Sequence, residues 1–187
     1  MDRPFRKQLV QIGILLLAMY VIHLLSVATG GWALQFGIVP RTLEGVRGIV
    51  FSPFLHGSWS HLIANTAPLA VMLTLLAISR RQSLWTITVT IWLLTGVAVW
   101  LVGRPGSVQV GASGIIFGLA AFLVATAWLT RHLGSALIAL VVIFLYGSII
   151  WGVLPGKRGV SWEGHLCGMI SGIVVANLAV KRRRMAA

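Results

Sequence analysis

Acidic residues are nearly missing. The 187-residue chain holds three Asp and Glu against fifteen Lys and Arg, a formal charge of +12, and only 10% of its residues are charged. A soluble domain carries about 25% charged residues. Polar surface is therefore too scarce to cover the 58% of residues that are hydrophobic, because a globule of this size has too little interior to hide them. The solvent for most of the chain is a lipid bilayer. That removes nucleic acid as the reason for the positive charge, since membrane proteins concentrate Lys and Arg at their cytoplasmic edges. The single Cys cannot close an intramolecular disulfide, which excludes a disulfide scaffold and a zinc ribbon. Disordered and collagen-like classes are excluded by the same composition.

What is present is a series of long apolar runs. A helix needs about 20 mostly apolar residues to cross the hydrocarbon core, and six stretches qualify: 9–29, 60–79, 84–102, 112–130, 134–153 and 163–180. Arg80-Arg81, Gly103-Arg104-Pro105-Gly106, Arg131-His132 and the Leu154 to Gly159 segment separate them. No internal repeat, low-complexity tract or second domain is visible, so residues 1–187 are expected to form one all-α membrane domain, a six-helix bundle. Ser26-Val27-Ala28 resembles a signal cleavage site, but the apolar run before it exceeds the roughly 7–15 residues of a signal peptide. An even number of spans puts both termini on one side. That side holds ten of the fifteen basic residues, among them Arg3, Arg80, Arg131 and Lys181 to Arg184, which marks it as cytoplasmic. Spans two, four and six then all begin at the outer face. The long outer segment around residues 30–59 carries Trp32, Phe36, Phe51 and Phe54 and is expected to lie in the interface. Trp residues near both boundaries form an aromatic belt.

Ionisable residues in a span are functional candidates, because hydrocarbon makes them costly. His23 reads as a hydrogen-bonded packing residue and His132 as an interface residue. The remaining candidates share one depth. His61 and Asn65 lie four apart on one face at the start of span two, with His56 just before them; Ser113 opens span four and His165 opens span six. This set suits acyl-bond hydrolysis. A serine hydroxyl is a poor nucleophile until a base takes its proton, and His165 can be that base for Ser113. Asn65, His61 and the Ser113 backbone N–H can supply oxyanion donors, the last because the first N–H groups of a helix lack intrahelical partners. The only acids are Asp2, Glu44 and Glu163, and none is placed to orient His165, so the expected device is a Ser–His dyad. Phe117, four residues after Ser113, can stack on the imidazole. Gly114 and Gly118 in span four, and Gly164, Gly168 and Gly172 in span six, form small-residue stripes that let the two helices approach. The simpler readings are packing glycines and an interhelical hydrogen bond between His61 and Asn65; the matching depth of all four groups favours a site.

These residues resemble the rhomboid family of intramembrane serine proteases over nearly the whole chain. The resemblance rests on His56-x4-His61-x3-Asn65, Gly111-x-Ser113-Gly114 and Gly164-His165-x-x-Gly168, in the family's order and with a long membrane-dipping segment after span one. It implies a six-span fold with Ser113 as nucleophile, His165 as general base and later acid, and Asn65 and His61 completing the oxyanion site. His56, Gly111, Gly114, Phe117 and Gly168 would be structural around it. It implies no metal, no cofactor and no nucleic acid. The substrate would be the transmembrane segment of another membrane protein, cut beside the lipid bilayer to release a product on the outer side. The location would be a bacterial inner membrane with the site opening outward. Hydrolysis at that depth needs water, so a water-filled pocket walled by spans two, four and six and by the first outer loop is expected, with span five and the 156–159 loop as the elements that admit substrate. Relatives often carry Tyr where Phe117 stands, and this chain lacks the Trp-Arg pair many have in the first outer loop. Two other readings are a catalytically silent binder of membrane clients and a channel, which would need a polar path through the full depth.

Overall fold

Every long apolar run becomes a helix, because a backbone in hydrocarbon must satisfy its own polar groups. A computed structural model describes residues 3–79, 83–155 and 161–185. Helix α1 spans Arg3–Ala28. The connection after it holds two one-turn helices, α2 (Leu43–Val46) and α3 (Gly48–Phe51), between the 3-10 turns Trp32–Phe36 and Ser52–Phe54. Then follow α4 (Trp59–Ser79), α5 (Leu84–Val102), α6 (Ser113–Thr130), α7 (Leu133–Tyr146) and α8 (Trp162–Met185). Among the described residues the only β pairing is an isolated antiparallel bridge between Ile38 and Gln109.

Among the described residues five helices, α1, α4, α5, α6 and α8, are long and apolar enough to cross a membrane. The stretch expected as the fifth span, 134–153, is different. Its α-helix stops at Tyr146 after 14 residues, about 21 Å at 1.5 Å per residue, and the chain continues as a 3-10 segment, Gly147–Val153. The tighter winding places the Gly152 carbonyl against the side chains of α8, a contact that hydropathy does not encode. The two ends of the bundle also differ from the hydropathy limits. Helix α1 begins at Arg3 rather than near residue 9, and α8 continues through Lys181 to Arg184, because Lys and Arg are good helix formers. Arg80, Arg81 and the 156–159 loop, part of the orientation and gating expectations, lie outside the described residues.

Helix α6 is the centre: α4, α5, α7 and α8 all pack on it, and α1 packs on α4. The core runs through Leu62, Leu73, Leu76, Ile91, Leu119 and Phe122, all fully buried. The long first connection is fastened to α5 by indole donors. Trp92 Nε1 donates to the Ile49 carbonyl at 2.7 Å and Trp100 Nε1 to the Thr42 carbonyl at 2.8 Å. This explains why that segment is rich in apolar residues: it is a packed wall, with Ile38 and Leu55 buried.

Candidate active site

The contact between α6 and α8 is made by glycines. A Cβ on Gly114 would sit 3.3 Å from the Gly164 carbonyl oxygen, and one on Gly118 3.0 Å from that of Gly168; a Cβ on Gly168 would collide with the Gly114 carbonyl. Backbones this close place the first residue of α6 beside the first turn of α8. Ser113 Oγ and His165 Nε2 are 3.0 Å apart. His165 Nδ1 lies 2.9 Å from the Gly152 carbonyl oxygen. A carbonyl only accepts, so Nδ1 carries the proton, and in the neutral ring Nε2 accepts from the Ser113 hydroxyl. The Phe117 ring lies flat on the imidazole, with centroids 4.1 Å apart and planes 7° from parallel. Gly152 is required here, since a Cβ would stand 2.9 Å from Phe117 and 3.0 Å from His165 Nδ1.

Helix α4 supplies the facing wall. Ser58 caps its start, accepting from the His61 N–H at 3.1 Å. Asn65 is buried, and its Nδ2 donates to the His61 carbonyl at 2.8 Å, which occupies one of its two N–H groups. Gly111 has φ +108°, a left-handed conformation that favours glycine. A Cβ there would lie 2.7 Å from His61 Nε2 and 3.9 Å from Asn65 Nδ2. Both side chains therefore face the turn that leads into Ser113. The Ser113 N–H, at the first position of α6, is one of the helix's free donors. Pro68 in α4 lacks an N–H, so the Ala64 carbonyl loses its helical partner; both residues line the same cavity. That cavity, about 520 Å³, is bounded by His61, Asn65, Ser113, Phe117 and His165 on one side and by the Val108–Val110 segment on another.

His56 stands behind this wall, 2% exposed, with its ring edge-on to His61 at 5.0 Å. Its carbonyl accepts from His23 Nδ1 at 3.0 Å, and His23 packs edge-on against Trp59. His23 is thus the hydrogen-bonded packing residue expected of it. Burial, reinforced by the neighbouring His61 ring, holds the His56 imidazole down at about 4, so it is neutral near pH 7.

All the expected site residues converge on this cavity or its walls: Ser113, His165, Asn65 and His61 at its surface, Gly111, Gly114 and Gly168 in the close backbone approaches, Phe117 on the ring and His56 behind. Two features escaped the sequence. The Gly152 carbonyl orients the imidazole, a backbone role whose only trace is a glycine in an apolar run. Glu163 is buried two residues before His165, and its Oε1 is 2.6 Å from Nε of Arg104 in the α5–α6 turn. This acid ties the turn to the start of α8, and the base is left to a carbonyl.

The architecture and the site define a class: an all-helical integral membrane protein with a serine and a histidine paired at the heads of two glycine-packed helices. Comparison with known proteins gives the family. Residues 44–182 match the model of the Rhomboid domain. An uncharacterized protein of Mycobacterium tuberculosis (strain ATCC 25618 / H37Rv) is 40% identical over 176 residues, covering 90% of this chain and 73% of that protein. One from Mycobacterium leprae (strain TN) is 39% identical over 168 residues, 86% of this chain and 66% of that protein. Rhomboid-like protease 5 of Toxoplasma gondii is 31% identical over 146 residues, 67% of this chain and 15% of that protein. The chain belongs to the rhomboid family.

Proposed function

We propose that the protein is an intramembrane serine endopeptidase that cuts transmembrane segments of other membrane proteins with a Ser113–His165 dyad. The observation that carries this reading is the 3.0 Å contact between Ser113 Oγ and His165 Nε2, in a ring whose other nitrogen is held by the Gly152 carbonyl. Ser113 Oγ attacks the substrate carbonyl carbon as its proton passes to His165 Nε2. The oxyanion is met by the Ser113 N–H, the second N–H of Asn65 and His61 Nε2–H. His165 then gives the proton to the leaving amine, and a water, activated by the same nitrogen, releases the acyl group. A carboxylate normally fixes the imidazole in such devices; here a carbonyl and the Phe117 ring do so. The chemistry calls on no metal or cofactor.

Residues 1–187 act as one domain in this reading. The excess of basic residues on one side supports cytoplasmic termini, a bacterial inner membrane and a site opening outward; the mycobacterial relatives are bacterial. Span five and the 156–159 loop are the proposed entry gate. The reading is tested with a reconstituted helical substrate carrying a central Gly/Ala stretch. Cleavage by the parent and none by Ser113→Ala or His165→Ala is expected. Capture of the substrate without cleavage by the parent would instead favour a silent client binder.

A further inference from the structure

A second cavity lies on the far side of Phe117. Helices α7 and α8 both pack on α6, and the cleft between them, about 510 Å³, extends from Phe117 down to Trp128. Eleven helical residues span about 16 Å, half of the roughly 30 Å hydrocarbon core. The cleft is one leaflet deep, which suits an acyl chain and falls short of a crossing helix. Ala120, Ala121 and Ala125 floor it and leave the room. Asn177 places a carboxamide at its lower end. Its Nδ2 donates to the Ile173 carbonyl at 2.9 Å, leaving a second N–H and the carbonyl oxygen, and an exposed carboxamide on a membrane helix is costly without a polar companion.

The mouth below Asn177 is cationic. Lys181 and Arg184 follow Asn177 by four and seven residues, so they lie within about 40° of its direction around α8, whereas Arg182 and Arg183 point about 120–140° away. Arg184 Nη2 donates to the Leu129 carbonyl at 2.9 Å, and Leu129 lines the cleft, so this guanidinium is fastened at the mouth. Trp128 stands beside it, 81% exposed, as an interfacial indole does. From Phe117 downward the order is an apolar slot, a carboxamide, and cations about 6–10 Å further along the helix. That is the order of acyl chain, ester carbonyl and phosphate in a glycerophospholipid.

We propose that the α6–α7–α8 cleft binds one anionic glycerophospholipid, with an acyl chain along the α6 alanines and its phosphate between Lys181 and Arg184. Charge complementarity selects the anionic class. The cleft shares Phe117 with the first cavity, but the proposal does not rest on the Ser113–His165 chemistry.

The test is native mass spectrometry of the full chain in detergent, titrated with phosphatidylglycerol or phosphatidylcholine. One phosphatidylglycerol retained per chain, at concentrations where phosphatidylcholine is not, is expected. Lys181→Ala with Arg184→Ala should weaken retention about tenfold or more. Arg182→Ala with Arg183→Ala removes the same charge and should leave it within about twofold. Ala121→Phe should block the slot; if that variant does not fold, the two double variants decide. Equal weakening in both doubles, equal retention of phosphatidylcholine, or a dimer abolished by Ala121→Phe with no lipid retained would overturn the proposal.

Discussion

On the α6–α8 wall of the cavity each polar atom of the Ser–His pair has a partner: Ser113 Oγ has His165 Nε2, and His165 Nδ1 has the Gly152 carbonyl. On the α4 wall, Asn65 Oδ1 and His56 Nε2 are buried without a hydrogen-bond partner, and Asn65 Nδ2 keeps one N–H beyond its bond to His61. An unpaired buried polar atom is costly. On the proposed mechanism the difference is functional. The paired wall fixes the attacking atoms before substrate arrives, and the α4 wall keeps the spare Asn65 Nδ2 N–H as a donor for charge that exists only in the transition state, while Asn65 Oδ1, an acceptor, takes no part in that.

The comparison breaks most visibly at Asn65. Asn65→Ala should lower the cleavage rate by about 10²–10³, the range for loss of one oxyanion donor, with little change in melting temperature. A loss of stability matched by no loss of rate would make Asn65 a packing residue. His56 tests the same wall through pH. Its pKa is about 4 when folded and 6.5 ordinarily, so between those values the unfolded chain binds more protons. Stability is full above about pH 6.5 and falls as pH drops towards 4, by about 3 kcal/mol in all. Thermal unfolding in detergent across that window should show the slope, and His56→Gln should reduce it.

On the paired wall the effects are smaller and of another kind. Gly168→Ala forces a Cβ onto the Gly114 backbone and should destabilise by about 1–3 kcal/mol, with the rate falling as the seam opens. Gly13→Ala in α1, where a Cβ meets nothing within 4 Å, is the matched control and should cost nothing. The smallest effect belongs to the stack. Phe117→Ala should cost about 1 kcal/mol in transition-state binding, within the range for aromatic pairs, and Phe117→Tyr should stay near the parent because the flat contact survives.

The sequence made the seam and the donors legible for one reason. Helix spacing places Phe117 four residues from Ser113 and Asn65 four from His61, and membrane depth brings the heads of three helices to one level. The glycine stripes told which helices would touch. Backbone roles left no such trace. The Gly152 carbonyl could be supplied by any residue type, and only the crowding of Phe117 and His165 makes it a glycine. The α-helix ends at Tyr146 and a 3-10 segment carries the chain on to the Gly152 carbonyl, a change of winding that apolar content does not register, so apolar content alone extended the helix to Val153. The Arg104–Glu163 pair joins a turn to a helix 59 residues apart; with three acids in the chain, Glu163 was conspicuous, but its partner was set by tertiary packing.

The central claim, that His165 activates Ser113, is tested most directly by labelling the purified protein with a fluorophosphonate. Covalent labelling of the parent on Ser113 is expected, with none in Ser113→Ala and strongly slowed labelling in His165→Ala. Labelling that persists in Ser113→Ala, or that proceeds at the parent rate in His165→Ala, would contradict it.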